Sequence, residues 1–172
     1  MIYIIIYLII NNMGKLNFFG VGPKIGIILL PWLAVTITLS CIKNHLFNFS
    51  ATNGNILLIA GIILMAFGLV FYLSTVRLLL KGLKETRLVT NGAFSLCQNP
   101  LYSSIILFII PAFSLLLNSW LILTTSIIGY IFFKIFIRKE YHELEIFFGE
   151  SYIKYKNETP EFFPFPFKKW FS

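Results

Sequence analysis

The sequence contains no aspartate, and charged residues of either sign fill only 12% of its 172 positions. A soluble globular domain carries about 25% charged residues, so this chain has too few to solvate an ordinary protein surface. In contrast, 58% of the residues are hydrophobic and the mean hydropathy is +0.83. Hydrocarbon solvates apolar side chains directly. The composition therefore predicts an integral membrane protein, and the length predicts a single domain over residues 1–172.

The residues that are scarce also exclude several kinds of site. Without aspartate no Ser/His/Asp set can be assembled, and the chain has neither a G-x-G-x-x-G nor a G-x-x-x-x-G-K loop. The two cysteines and two histidines lie far apart, so neither a disulfide framework nor a metal site is expected. The net charge is +7, but its basic residues are scattered. We therefore expect the lipid bilayer, not nucleic acid, as their partner.

The apolar residues form long runs that predict membrane helices. Four spans are predicted, at 25–42, 55–76, 102–117 and 120–137. The last two come from one run that is too long for a single crossing, and Asn118 near its middle predicts a tight helical hairpin. Gly61 and Gly68 predict close approach of another helix to the second span. The N-terminal segment 1–24 has an apolar stretch shorter than the roughly 20 residues of a span. That stretch either lies at the membrane surface or forms part of a tilted span.

The distribution of basic residues predicts the orientation. If the polar stretch 77–100 faces the cytoplasm, every lysine and arginine except Lys43 lies on the cytoplasmic side. Residues 138–172 then form a cytoplasmic segment that begins as an amphipathic helix, which Gly149 interrupts or bends. Glu140 lies off its apolar face, which is formed by Ile137, Tyr141, Leu144, Phe148, Tyr152 and Tyr155. The predicted fold is an all-α, multi-pass helical bundle with a hairpin and this C-terminal helix.

Two polar segments adjoin the predicted spans and are candidates for chemistry. In the first, residues 90–102, Pro100 occupies a favoured first helical position. The free backbone N–H groups of such a helix start suit a carboxylate, although an ordinary capped loop has the same pattern. In the second, Glu140 lies within a turn of the membrane surface, where an acidic group is costly without a partner. The simpler interpretation is a surface ion pair with Arg138 or Lys139.

The two segments together resemble a known family. Residues 87–104, RLVTNGAFSLCQNPLYSS, are similar to T-x-G-P-Y-x-x-x-R-H-P-x-Y-x-G, a signature of the isoprenylcysteine carboxyl methyltransferase and phospholipid methyltransferase families. Its matches are Thr90, Gly92, Pro100 and Tyr102, with Phe94 in place of the first tyrosine. Residues 140–164 are similar to E-E-x-x-L-x-x-x-F-G-x-x-Y-x-x-Y with prolines after it. Its matches are Glu140, Leu144, Phe148, Gly149, Tyr152, Tyr155, Pro160 and Pro164.

The resemblance implies methyl transfer from S-adenosylmethionine to a carboxylate or amine of a hydrophobic or lipid-tailed acceptor. It implies a cytoplasmic cofactor pocket that residues 138–172 close. The implied cofactor-binding residues are Gly92, Asn99, Pro100, Tyr102, Glu140 and Tyr141. Of these, Asn99, Pro100 and Tyr102 would hold the amino-acid part, and Glu140 a polar part such as the ribose hydroxyls. The implied catalytic residues are Arg138, toward an acceptor carboxylate, and Glu140, as base for an amine.

The sequence departs from the family pattern at several positions. Gln98 and Asn99 replace the Arg-His pair, while Ala93, Ser104 and Tyr141 replace Pro, Gly and the second Glu. Losing a charge-assisted contact costs about 1.5–3 kcal/mol. Either another basic residue compensates, or the cofactor binds weakly, or this member has changed function. Two other functions stay open: an NADPH-dependent reductase on the related steroid-reductase scaffold, and a non-enzymatic membrane scaffold or transporter. The oligomeric state is not predicted.

Overall fold

The computed structural model describes residues 21–49, 54–85 and 87–164, and all regular secondary structure in these residues is helical. Most of the predicted N-terminal segment 1–24, and the end of the C-terminal segment from residue 165, lie outside the described residues. The helices are α1 (Val21–Ile42), α2 (Asn44–Phe47), α3 (Gly54–Lys84), α4 (Ala93–Leu96), α5 (Pro100–Leu116), α6 (Leu123–Phe148) and α7 (Glu150–Glu158). A short 3-10 turn, Trp120–Ile122, precedes α6.

Three of these helices are long and apolar enough to cross a membrane: Val21–Ile42, Gly54–Gly82 and Trp120–Phe148. The helix Pro100–Leu116 is apolar but shorter. The helices that contain the second and fourth predicted spans are longer than those spans, because α3 continues to Lys84 and α6 to Phe148. Hydropathy falls where lysine, arginine and glutamate begin, yet these residues are good helix formers. At 1.5 Å per residue, the 29 residues of Trp120–Phe148 extend about 43 Å, well beyond a hydrocarbon core of about 30 Å.

The chain reverses between α5 and α6, where the sequence predicts a helical hairpin. Between α5 and the 3-10 turn, the backbone N–H of Ser119 donates to the carbonyl of Ser114 at 2.9 Å, and the Ser114 hydroxyl donates back to the Ser119 carbonyl at 2.7 Å. Asn118 between them has φ 47°, a left-handed conformation that asparagine tolerates better than most residues. The reversal is therefore closed by its own backbone and hydroxyl groups, which suits an apolar setting.

Helices pack pairwise around the hairpin, α3 along α5 and α1 along α6. The predicted close approach at Gly61 and Gly68 is confirmed, since a Cβ at either position would lie 2.9 Å from a side chain of α5. On the other side, α1 is joined to the hairpin by hydroxyl contacts, such as Ser40 Oγ to Ser119 Oγ at 2.6 Å. Large apolar side chains cover the outward faces, among them Ile27, Ile63 and Ile127. Outward faces this apolar are compatible with a membrane protein.

Candidate functional site

The start of α5 lies at the centre of the candidate site. The polar segment leading to it turns at Gly92 (φ 60°) and forms the single turn α4, in which Phe94 is buried. The phenol of Tyr155, on α7, donates to the Phe94 carbonyl at 2.7 Å. Asn99 is the residue before α5, and Pro100 is its first residue, as predicted. The C-terminal helix thus fixes the segment from which α5 begins.

A non-helical stretch, Thr159–Phe162, follows α7 and crosses the start of α5; it is called the strap below. Its four successive carbonyl oxygens all accept hydrogen bonds from the same short segment. Gln98 Nε2 donates to Thr159 O at 2.6 Å and the Gln98 backbone N–H donates to Pro160 O at 2.8 Å. Asn99 Nδ2 donates to Glu161 O at 2.9 Å, and the Ser103 hydroxyl donates to Phe162 O. A second bond from Gln98 Nε2 reaches the carbonyl of Lys156 at 3.0 Å.

Side chains of the strap also hold it against α6. The Glu161 carboxylate lies 2.5 Å from Lys134 Nζ and accepts a hydrogen bond from the Tyr141 phenol at 3.3 Å. The ring of Phe162 is 2% exposed, and its centroid lies 4.8 Å from that of Phe133 and 5.0 Å from that of Tyr130. The strap therefore covers the start of α5 and one face of α6 together.

Five buried polar side chains in this region have atoms without a hydrogen-bond partner. Glu140 is only 2% exposed, and both of its carboxylate oxygens are unpartnered. The others are the phenol oxygens of Tyr102 and Tyr152 and the amide oxygens Gln98 Oε1 and Asn99 Oδ1. An unpartnered buried polar group costs about 1–3 kcal/mol, and more when it is charged. Ordered water or a bound ligand can satisfy such buried groups, which makes this region the candidate site.

The burial of Glu140 overturns two expectations. The ion pair with Arg138 or Lys139 is wrong, because both basic residues are exposed and none of the described residues pairs with Glu140. The prediction that Glu140 lies off the buried face is also wrong, since Glu140 and Tyr141 are both buried. The physical reason is coverage from two sides, because Tyr102 of α5 and Tyr152 of α7 both lie near Glu140 and widen the buried arc of α6 beyond one apolar stripe.

Three buried groups near the strap, Cys97, Tyr152 and Tyr155, have raised pKa values and stay protonated at neutral pH. Burial raises the pKa of the Cys97 thiol to about 11, against an ordinary value of 9.0, so this thiol is not a nucleophile. Burial, and then the carboxylates of Glu145, Glu140 and Glu161, raise the pKa of Tyr152. Burial also raises the pKa of Tyr155. Both phenols therefore keep an O–H that can donate a hydrogen bond.

The structure brings most of the predicted site residues together. Asn99, Pro100, Tyr102, Glu140 and Tyr141 are all buried where α5 meets α6, and Asn99 Nδ2 donates to the Tyr141 phenol at 2.5 Å. Glu140 lies near both Tyr102 and Tyr152.

Two predicted residues lie apart from this group. Gly92 is exposed and faces Leu78 of α3. Arg138 is exposed at the rim of a cavity of about 620 Å³, which is also lined by Tyr130, Tyr141, Lys156 and the strap.

Sequence reasoning missed the residues that hold the strap. Gln98 and Ser103 donate to it, and Lys134 binds its glutamate. The sequence did show that two amides, Gln98 and Asn99, replace the Arg-His pair of the motif. This replacement changes the hydrogen-bond donors at the start of α5, but it does not indicate which acceptors they bind.

A second cavity opens between α3 and α5. Its volume is about 250 Å³, and it is lined mainly by apolar groups of Tyr72, Val76, Leu79, Leu101 and Tyr102. Gln98 lines both this apolar cavity and the larger cavity beside the strap, whereas Glu140 lines neither. The Gln98 side chain therefore borders both spaces, and the Glu140 carboxylate lines neither of them.

Within the described part of the chain, no three His, Cys, Asp or Glu side chains are grouped as metal ligands. No protein-family model matches this chain, and comparison with curated proteins and with solved structures finds no match.

Proposed function

We propose that this protein is an integral membrane methyltransferase that uses S-adenosylmethionine to methylate a hydrophobic acceptor. The observation that carries the proposal is the buried, unpartnered Glu140 carboxylate, enclosed with Tyr102, Tyr152 and two amide oxygens where α5, α6 and α7 meet. The motif resemblance selects the same residues from the sequence. In this arrangement α1, α3 and α6 cross the membrane together with the shorter apolar helix α5, so the start of α5 and the strap lie on the cytoplasmic side with the basic residues.

The unpartnered atoms suit the chemical groups of the proposed cofactor. Carboxylate and amide oxygens accept hydrogen bonds, and S-adenosylmethionine offers ribose hydroxyls, an ammonium group and a sulfonium cation. Glu140, Gln98 Oε1 and Asn99 Oδ1 would take these groups. The cofactor's carboxylate requires a donor from elsewhere, because the amide nitrogens of Gln98 and Asn99 are already bonded. Arg138, at the rim of the larger cavity, can supply it or can bind an acceptor carboxylate.

The residues around the site would favour methyl transfer by excluding water. S-Adenosylmethionine supplies an electrophilic methyl group on a positively charged sulfur. When an anionic acceptor reacts with it, charge is dispersed in the transition state, so a dry site disfavours the reactants more than the transition state. Phe133 and Phe162 provide the apolar cover. A carboxylate acceptor needs no base, whereas an amine must lose a proton, which Glu140 can accept. The apolar cavity between α3 and α5 fits the hydrophobic part of the acceptor.

Calorimetric titration of the detergent-solubilised full chain with S-adenosylmethionine and S-adenosylhomocysteine tests this proposal. We expect micromolar binding that Glu140→Gln and Tyr102→Phe weaken, because each removes a group from the enclosed cluster. Glu150→Gln is the matched control, since Glu150 is an exposed carboxylate at the start of α7. No binding up to millimolar cofactor by a folded protein would refute the proposal, and binding of NADPH instead would favour the reductase.

A further inference from the structure

Gln98 and Asn99 occupy the positions where the resembled motif has a basic pair, yet their side-chain donors point to the strap. We infer that these two amides are positioning residues that latch the strap over the buried Glu140 cluster, and that they do not contact a cofactor carboxylate. These hydrogen bonds from Gln98 and Asn99 to the strap are called the latch below, and they are observed within this chain. Only the identity of what the strap covers rests on the proposed function.

The number of N–H groups supports this inference. A primary amide nitrogen carries two hydrogens. Gln98 Nε2 donates to the carbonyls of Lys156 and Thr159, at 3.0 and 2.6 Å. Asn99 Nδ2 donates to the Tyr141 phenol and to the Glu161 carbonyl, at 2.5 and 2.9 Å. Each nitrogen therefore has both hydrogens engaged, and neither has a donor left for a cofactor while the strap is in place.

The strap needs these donors because it belongs to no helix. Thr159 has extended backbone angles, φ −114° and ψ 133°. An extended segment normally satisfies its carbonyls in a sheet, but the described residues contain no strand. Gln98, Asn99 and Ser103 supply donors to four successive strap carbonyls instead. Since two of these residues are amides, the latch is electrically neutral and depends little on salt, unlike a basic pair in the same place.

Limited proteolysis of the full chain in detergent tests the latch. Chymotrypsin cuts after aromatic residues, and Phe162 is only 2% exposed, so cleavage there requires the strap to open. Gln98→Met keeps the side-chain length but removes two hydrogen bonds, so we expect cleavage after Phe162, identified by mass, to be about 5- to 100-fold faster. Gln98→Arg keeps N–H donors at this position, so its cleavage after Phe162 should be as slow as that of the wild type.

Ser95→Ala is the matched control, because Ser95 lies in the same segment but its exposed hydroxyl donates only to the Gly92 carbonyl. Its cleavage should match that of the wild type. The latch is refuted if Gln98→Met leaves cleavage after Phe162 unchanged. It is also refuted if Gln98→Met accelerates cleavage at all sites equally, because that reports global unfolding.

The same proteins distinguish failure of the latch from failure of the proposed function. If Gln98→Met speeds cleavage after Phe162 but the wild type does not bind S-adenosylhomocysteine, the latch holds and the methyltransferase proposal fails. If the wild type binds S-adenosylhomocysteine but the cleavage rate does not depend on residue 98, the latch fails and the proposed function stands.

Discussion

Replacing Glu140 should stabilise the protein while removing its function. Both carboxylate oxygens are buried without a partner, so this side chain opposes folding in the absence of a ligand. Glu140→Met preserves the length of the side chain and replaces its polar atoms by a thioether. Relief of one unpartnered buried polar group is expected to raise the free energy of unfolding by about 1–3 kcal/mol. For a chain of this size, that corresponds to a rise in Tm of about 2 to 12 °C.

The assay is thermal unfolding in detergent, followed by tryptophan fluorescence in the absence of added ligand. Glu140→Gln serves as the comparison, because an amide keeps two polar atoms in the same enclosed space. We expect Glu140→Gln to gain less stability than Glu140→Met, although both should lose binding of S-adenosylhomocysteine. Glu150→Met controls for the general effect of removing a negative charge, since Glu150 is exposed.

A lower Tm for Glu140→Met would refute the reasoning. That result would mean that the carboxylate stabilises the folded protein through a partner, and that Glu140 is a structural residue and not a ligand group. A higher Tm with undiminished ligand binding would place the ligand elsewhere and would contradict the proposed function. The combination of higher stability and lost binding is expected of a functional residue held at a cost to folding.

Three further predictions concern the scaffold. In a Cys41→Ser background, alkylation of Cys97 should accelerate about tenfold per pH unit up to its raised pKa of about 11. In the unfolded chain the Cys97 thiol ionises at its ordinary pKa of 9.0, before the buried thiol does. The free energy of unfolding, measured in urea at a series of pH values, should therefore fall between pH 9 and about pH 11. Tyr155→Phe should cost about 1–3 kcal/mol in urea unfolding, since it leaves a buried carbonyl unpartnered. Gly68→Ala should cost about 1–3 kcal/mol in the same assay, whereas Gly26→Ala, with open space around it, should not destabilise the protein.

The backbone of the hairpin could be predicted from the sequence because its signals are local. Asn118 interrupts an apolar run and tolerates the left-handed conformation that the reversal adopts. The role of Gly61 and Gly68 could also be predicted, because a helix face without side chains lets another helix pack closely against it. The end of α3 was not readable in the same way, because hydropathy reports where the apolar surface stops and not where the helix stops.

The contacts of the site could be predicted only in part. The resemblance to the motifs selected Asn99, Tyr102 and Glu140 as site residues, and all three are buried in the same region. The hydrogen bonds from Gln98 and Asn99 to the strap could not be predicted, because the acceptors are backbone carbonyls about sixty residues away in the sequence. A backbone carbonyl is present at every residue, so no side-chain pattern marks the acceptor. The burial of Glu140 was missed for a related reason, because it depends on side chains from α5 and α7 that are distant in sequence.

The two fastenings of the strap have different physical character, and this bears on how a ligand could reach Glu140. The amide latch of Gln98 and Asn99 is neutral and largely buried. The Lys134–Glu161 ion pair, in contrast, has side chains that are 44% and 34% exposed, so salt screens it and its contribution is about 0–1 kcal/mol. Because Glu140 lines neither of the two cavities described above, a ligand that enters through either of them meets the carboxylate only after the strap or nearby side chains move. The strap must therefore be held firmly enough to exclude water and loosely enough to open, a balance that neutral hydrogen bonds can provide at any ionic strength.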